Sequence, residues 1–437
     1  MDVRSIVVFT IFCFFMAKTI KAPYIGVAIM AWIGYMNPHR LVPWGFIYSL
    51  PLAAIAFAIT LIAYMMDKNK PKIVWHTASI LMLVFLLWCA ITTSTSINPS
   101  ASEELMRFFK ILLIVALALM IVRSKKHIVI LVSVIAASIG FYSTKGGVFA
   151  ILTGGSFRVW GPPDSFIEGN NELALATLMI LPLVFFLISQ VNHKWIKIGL
   201  AAIIFLSTIS VIASYSRGAF LAMIVTAGFL WIKSKIKIPL ALAGFVLIIA
   251  IIPVIPQQWY DRMDTIETYE EDKSAMGRIN SWTMAFNLAK DRPLGGGFRT
   301  FGPTAFALYA PEPNVIHDAH SIYFEILAEQ GFVGLFLFLG ILGSSWLLAN
   351  RNIRMAKGNA ALEWVGNLSR MTQVSLVAYM SGGAFLGLGY WDLPYHLCAI
   401  IMLGNIWLMN NKVATNEITK EIVKPKRICP DTGRTLY

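Results

Sequence analysis

Asp291-Arg292-Pro293-Leu294-Gly295-Gly296-Gly297-Phe298-Arg299, followed further on by His317-Asp318-Ala319-His320, belongs to a polar, arginine-bearing stretch between about residues 256 and 320. On both sides of it the chain is one apolar run after another, most near the roughly 20 residues that a helix needs to cross a bilayer. Over 437 residues the sequence is 57% hydrophobic and 14% charged, which describes a polytopic membrane protein and excludes a soluble core. The first apolar run, from Ser5 to Ala17, lacks a convincing cleavage site and is followed by more membrane sequence, so no cleavable signal is expected. Cys13, Cys89 and Cys398 fall in apolar runs and Cys429 in a basic tail, which indicates neither a disulfide framework nor a thiolate metal site.

Orientation follows from where Lys and Arg collect, because short cytoplasmic loops carry the excess. Clusters fall at Lys68/Lys70/Lys72, Arg123/Lys125/Lys126, His193/Lys194/Lys197, Lys233/Lys235/Lys237, Arg351/Arg354/Lys357 and Lys424/Lys426/Arg427. An even number of apolar runs separates each cluster from the next, so all of them fit on the cytoplasmic side together. The short runs Ser5 to Ala17 and Tyr24 to Tyr35, split by Lys18 and Lys21, are expected to act as one kinked or partly re-entrant unit making one net crossing. The expected fold is all-α: a polytopic integral membrane protein with about 12 transmembrane helices, both termini cytoplasmic, and a large periplasmic loop carrying short amphipathic helices. The chain divides into N-terminal transmembrane helices with short periplasmic loops (1–255), a long periplasmic catalytic loop (256–320), C-terminal transmembrane helices (321–410) and a basic cytoplasmic tail (411–437).

The outer side then receives roughly 95–104, 145–171, 214–217 and 256–320, with a tight turn near Trp391 and Asp392. These segments carry Arg158, Arg217, Arg262, Arg278, Arg292 and Arg299, whereas the cytoplasmic clusters are rich in lysine. A guanidinium offers a planar fork that binds phosphate bidentately; an ammonium is a more hydrated point charge. Taken singly, each arginine also reads as a solvated loop residue or a headgroup anchor. Arg217 is different, because it lies against an apolar helix where an unpaired charge is costly.

From Gly277 to Ala289, the residues Ile279, Trp282, Ala285, Phe286 and Ala289 share one helical face, predicting an amphipathic helix on the outer leaflet. Arg278 in its first turn, together with free amide groups, makes a phosphate clamp. The glycines of 295–297 read either as a plain helix stop or as backbone able to approach a diphosphate. His320 is the best candidate for chemistry, since it sits where the loop re-enters the membrane and its ordinary pKa suits proton abstraction. The alternatives are an interfacial His without a task, or a metal site of His317, Asp318 and His320. No further metal ligand and no Asp-x-Asp pair is apparent in the outer loops. Glu325 and Glu329 fall about 140° and 180° around an ideal helix from His320, so neither is expected to orient it; they cap or line the helix.

Ser216-Arg217-Gly218-Ala219, then Gly277-Arg278 with Pro293-Leu294-Gly295-Gly296-Gly297, then His320-Ser321-x-Tyr323-x-Glu325-x-Leu327-x-Glu329-x-Gly331-x-x-Gly334 together resemble the O-antigen ligase and polymerase superfamily of bacterial membrane glycosyltransferases. Met36-Asn37-Pro38-His39-Arg40 and Arg158-Val159-Trp160-Gly161-Pro162-Pro163 resemble an exosortase-associated branch of O-glycosylation ligases, and the likeness covers about residues 1–410. The resemblance implies transfer of a glycan from undecaprenyl diphosphate to an acceptor hydroxyl, a lipid A-core sugar for ligases, at the periplasmic face of the inner membrane. On that reading Arg217 and Arg278 hold the diphosphate, Arg158, Arg299 and His317 add contacts to diphosphate or glycan, and His320 takes the acceptor proton in a single inverting step. No metal or cofactor is called for if guanidinium groups supply the positive charge, in keeping with the lack of a carboxylate cluster in the sequence. The bilayer, the lipid-linked donor and the hydroxyl acceptor are the expected partners, and nucleic acid is not. The rival readings are an O-antigen polymerase, a protein O-oligosaccharyltransferase and, from another class, a lipid-linked oligosaccharide flippase. A flippase calls for ionisable residues at mid-bilayer depth and matching halves. Instead, charges such as Glu172 and Arg217 gather at helix ends, and no internal repeat is obvious.

Overall fold

A computed structural model describes residues 3–41, 45–68, 70, 72–251, 256–264 and 273–422. Its helices are α1 (Val3–Thr19), α2 (Pro23–Met36), α3 (Leu52–Met66), α4 (Thr77–Ser94), α5 (Ala101–Ile121), α6 (Lys125–Leu152), α7 (Asn170–Ile188) and α8 (Lys194–Ile212). They continue as α9 (Arg217–Lys233), α10 (Lys237–Ile251), α11 (Gln257–Asp264), α12 (Lys273–Asp291), α13 (Pro303–Tyr309), α14 (Ile322–Ala356), α15 (Glu363–Gly382) and α16 (Asp392–Ile422). No strand occurs among the described residues. Among them, six helices are long and apolar enough to cross a membrane (α4, α6, α7, α8, α14 and α16), and α2, α3 and part of α10 are shorter apolar helices. This is a helical membrane protein. The Arg262 side chain, the cluster Lys424/Lys426/Arg427 and Cys429 lie outside what is described.

The core is built around α7, α15 and α16, whose side chains are buried almost all round. Against them pack α6 with α8 and α14 with α4, while α9 leans on α15. Large side chains on the outer helices stay exposed, as at Trp195 on α8, Ile224 on α9 and Phe245 on α10. Such a surface suits lipid, where only apolar groups face outward and the backbone is satisfied within each helix. Polar side chains set the register inside: Ser143 meets Ser207 at 2.8 Å between α6 and α8, and Asn352 Nδ2 donates to the Ile401 carbonyl at 3.0 Å.

Five basic clusters gather at one end of the bundle. The Lys125 ammonium lies 5.3 Å from the Trp364 ring, Lys233 donates to Gln373 Oε1 at 2.9 Å, and Lys235 pairs with Glu363. His76, beside the first cluster, meets Asn405 at 3.1 Å, and Asn405 in turn binds Asn352, next to Arg351. Asn367 reaches Ser189, near the His193 cluster, at 3.0 Å. The polar segments meet at the opposite end, where Arg292 Nη2 donates to the Thr95 carbonyl at 2.7 Å and Asn170 Nδ2 to that of Ser214 at 2.7 Å. The even spacing of the basic clusters in sequence thus has a direct counterpart in three dimensions.

The N-terminal pair differs from expectation. Helices α1 and α2 do not form one kinked crossing unit; they pack on each other as an antiparallel hairpin, with Ile11 and Phe15 opposite Ile25, Ala28 and Ile29. Pro23 starts a new helix after the Ile20–Ala22 turn, and Gly26 allows α2 to press close to Thr19 and Thr60. Tyr24 stacks on His127 at the basic end of the bundle, with ring centroids 3.7 Å apart, and the Met36 carbonyl meets Tyr142 towards the other end. Phe9 lies 5.5 Å from Phe46, so α1 starts at the end that bears the polar segments, opposite the basic clusters. The start of α1 thus departs from the expected arrangement, whereas α16 runs towards the basic end, where Trp407 lies 4.8 Å from Trp364.

Candidate active site

Helix α14 is broken where it matters most. Gly331 has φ 67° and ψ −175°, a region open essentially to glycine alone, and it divides the first turns of α14 from the long apolar remainder. Beside the break, the Ala328 and Glu329 carbonyls take donors from outside the helix. Gly296 N–H donates to the Ala328 carbonyl at 2.8 Å and Gly297 N–H to that of Glu329 at 2.9 Å. A side chain at Gly331 would begin 2.2 Å from the Pro293 carbonyl, and one at Gly295 would begin 2.6 Å from that of Glu329. The triple glycine is therefore a clasp for the broken helix. Two of its amide groups are committed to carbonyls, which removes them from the diphosphate role considered for them.

Helix α12 builds the second wall. It begins by Lys273, so Arg278 falls in its second turn, not its first, and the clamp of arginine with free helix-start amides is not formed there. Its buried stripe is Gly277, Asn280, Ser281, Met284, Ala285, Leu288 and Ala289, packed on α13 and α14, while Ile279 and Phe286 remain exposed. Asn280 Nδ2 donates to the carbonyls of Glu312 and Val315 at 2.9 Å, Ser281 Oγ to that of His317 at 2.9 Å, and Trp282 Nε1 to that of Ala319 at 2.7 Å. The Trp282 ring stacks on Phe324 with centroids 5.0 Å apart. These bonds lay the strand of chain from Glu312 to Ala319 along α12 and bring His317 over Gly277.

His320 then stands half-buried, before α14 begins, in a left-handed conformation with φ 42°. Burial lowers its pKa below the ordinary 6.5, the Arg278 guanidinium and His317 lower it further, and Asp318 opposes them. The imidazole is accordingly neutral at pH 7 and able to accept a proton.

His320 shares a cavity of about 460 Å³ with Asn98, Glu172, Arg299, Phe301, Gly302, Asp318, Ala319, Glu325, Glu329 and Gly387. The angles expected for Glu325 and Glu329 assumed that His320 lies on their helix. Because its backbone is left-handed and outside the helix, all three face one space. Glu325 Oε2 accepts Gly389 N–H at 2.9 Å and Glu329 Oε1 accepts Arg299 N–H at 2.7 Å, so the two carboxylates pin the loops on either side. Four carboxyl groups, from α7, α14 and the segment just before α14, surround this cavity, in contrast to the lack of a carboxylate cluster read from the sequence. No group of three or more His, Cys, Asp or Glu side chains suited to a metal ion occurs among the described residues.

The arginines separate into distinct settings. The Arg299 guanidinium donates to Glu104 at 3.0 Å and to Glu103 at 3.3 Å, contacts with Glu104 foremost that raise its pKa. Arg217 is the first residue of α9, capped by Ser216, and the adjacent Gly218 packs against Phe385 near the Gly387 edge of the cavity. Arg158 is exposed on a loop tied to the turn before α9: Val159 N–H donates to the Ala213 carbonyl at 3.0 Å and Tyr215 Oη to that of Gly155 at 2.6 Å. Burial raises the Tyr215 pKa, and the Arg158 charge pulls it down. The structure thus joins His317, His320 and Arg278 as one group and Arg158 with Arg217 as another, with Arg299 in the cavity wall. Asp392 and His396, at the turn that starts α16, are an interior pair: His396 meets Tyr35 of α2 at 2.9 Å and neither residue lines this space.

Glu172, Glu325 and Glu329 are the cavity residues that the sequence did not single out as site residues, whereas Asp318 was considered there only as a metal ligand. Carboxylates inside apolar helices were the available signal.

A helical membrane protein with a polar cavity at one end of its bundle, walled by a broken helix and a clasping loop, is the class that this fold and site define. Residues 200–339 match the family described as O-antigen ligase, a segment that contains every motif from Ser216 to Gly334. Residues 3–193 match a family of unknown function (DUF5935). No curated protein matches the chain. The match over 200–339 supports the O-antigen ligase/polymerase superfamily and an activity of that broad type.

Proposed function

We propose that this protein transfers a glycan from undecaprenyl diphosphate to an acceptor hydroxyl, as an O-antigen ligase acting on a lipid A-core acceptor. The observation that carries the reading is His320, a neutral imidazole at the wall of a polar cavity and within the field of Arg278. As the acceptor oxygen attacks the anomeric carbon, its proton passes to His320. The bond from that carbon to the diphosphate breaks on the opposite face, and the electron pair leaves with the phosphate. Arg217 and Arg278 stabilise the charge that grows there, with Arg158 assisting, so inversion follows in one step without a metal. Removal of one such contact costs about 3–4 kcal/mol of barrier.

The same proposal sets the cavity on the periplasmic side of the inner membrane, with the lysine-rich end in the cytoplasm. Counting α1 and α2 as two passes, with α3 to α10 and α14 to α16, gives thirteen crossings and an outward N-terminus. Thiol labelling tests this: a cysteine at Glu312 must react with an impermeant reagent in intact cells, and one at Lys357 must not.

The chemistry is tested by transfer from a purified lipid-linked donor. His320→Ala, Arg217→Ala and Arg278→Ala must each lose activity at least a hundred-fold, and a chelator must leave it intact. Full activity in these variants would overturn the mechanism. A deletion strain separates ligase from polymerase: long glycan accumulating on its carrier means ligase, single repeats mean polymerase.

A further inference from the structure

We infer that the cavity beside His320 is the subsite for the acceptor saccharide, and that it admits a neutral or amine-bearing sugar while excluding a phosphorylated one. The inference rests on the glycosyl-transfer reading and names which of the two substrates the cavity receives.

Charge decides against the diphosphate. The cavity wall carries Glu172, Asp318, Glu325 and Glu329, and its one guanidinium, Arg299, is already held by Glu103 and Glu104. Arg158, Arg217 and Arg278 are not part of that wall. A diphosphate placed there would meet four acidic side chains and a guanidinium already engaged by two others, so nothing in the wall offsets its charge. The donor's charged end therefore belongs on the arginine side of His320, and the carboxylate side is left for its partner.

The lining is also what a sugar requires. Sugar hydroxyls both donate and accept hydrogen bonds, and carboxyl groups are suited partners for them. A pyranose has an apolar C–H face, which packs on an aromatic ring such as half-buried Phe301. Glu329 supplies a separate pointer to a ligand. It is only 5% exposed, and its Oε2 makes no hydrogen bond within the protein, although Tyr390 and the Thr300 N–H lie close by. A buried acceptor left unmade is costly, and a hydroxyl entering the cavity satisfies it. The volume of about 460 Å³ falls within the roughly 300–1,000 Å³ typical of small-ligand sites. His320 in the same wall puts the base next to the hydroxyl it must deprotonate.

The test uses the full-length protein in lipid nanodiscs, with cellobiose, the glucosamine dimer, cellobiose phosphate and inorganic pyrophosphate as probes in saturation-transfer NMR and calorimetry. Cellobiose and the glucosamine dimer must bind, cellobiose phosphate at least ten-fold more weakly, and pyrophosphate must not displace cellobiose. Phe301→Ala and, independently, Asp318→Asn must weaken saccharide binding at least five-fold. In the transfer assay they must raise KM for the acceptor and leave KM for the lipid-linked donor unchanged. Equal binding of the phosphorylated sugar, displacement by pyrophosphate, or a rise confined to donor KM overturns the assignment. Absence of transfer with every acceptor, while cellobiose still binds as stated, overturns the glycosyl-transfer reading and leaves the saccharide site standing.

Discussion

Glu329 Oε1 accepts the backbone N–H of Arg299 at 2.7 Å, and the Glu329 carbonyl accepts that of Gly297 at 2.9 Å, so one residue of α14 holds the turn that closes the cavity. Arg299 is fixed there by its backbone, in a left-handed conformation with φ 58°, before its guanidinium makes any contact.

Glu329→Ala removes that acceptor from a buried position and is expected to destabilise the protein by about 1–3 kcal/mol. Glu329→Gln keeps a carbonyl oxygen for Arg299 N–H and should lose less. Thermal unfolding in detergent measures both.

Arg299→Asn separates backbone from side chain. Asparagine tolerates positive φ, and exposed ion pairs such as those with Glu103 and Glu104 contribute only about 0–1 kcal/mol, so stability should hardly change. Donor KM should stay unchanged, because Arg299 lines the acceptor cavity and its guanidinium is held by Glu103 and Glu104. An unfolding temperature several degrees lower would show the ion pairs to be structural.

Gly331→Ala places a methyl group 2.2 Å from the Pro293 carbonyl in a backbone region that alanine avoids. The strain alone is about 1–3 kcal/mol, and the clash adds to it, so unfolding temperature and activity should both drop. Gly199→Ala is the control: nothing lies within 4 Å of a side chain there, and alanine is the better helix former, so stability should hold or rise.

Trp282→Phe retains an aromatic ring to stack on Phe324 but deletes the bond to the Ala319 carbonyl. The expected cost is about 1 kcal/mol of stability. Because that bond holds the chain next to His320, kcat should fall more than either KM.

The pH profile reports His320. A base must be neutral, and the His320 pKa lies below 6.5, so kcat/KM should be flat near pH 7 and fall as pH drops through that lowered pKa. Arg278→Gln removes a charge that lowers this pKa, so the residual activity should show its acid limb at higher pH. An acid limb that stays in place in Arg278→Gln would separate the two residues.

Much of the architecture was legible in the chain because lipid imposes length and charge rules on single segments. Apolar runs between lysine clusters announced helices and the sidedness of their ends, and Ser216-Arg217-Gly218-Ala219 and His320 announced site residues through charge set against apolar helix. The N-terminal hairpin was less legible, since Lys18 and Lys21 mark a break without saying whether the chain turns back. What only the tertiary structure decided is who faces whom. The helical angle between His320 and Glu325 or Glu329 lost its meaning once φ at His320 became positive, and the glycines of 295–297 found their partners in carbonyls more than thirty residues away, beside the break at Gly331. Periodicity fixes directions only within an unbroken helix; across a break, the backbone's own unsatisfied hydrogen bonds choose the neighbours, and they can be counted only after folding.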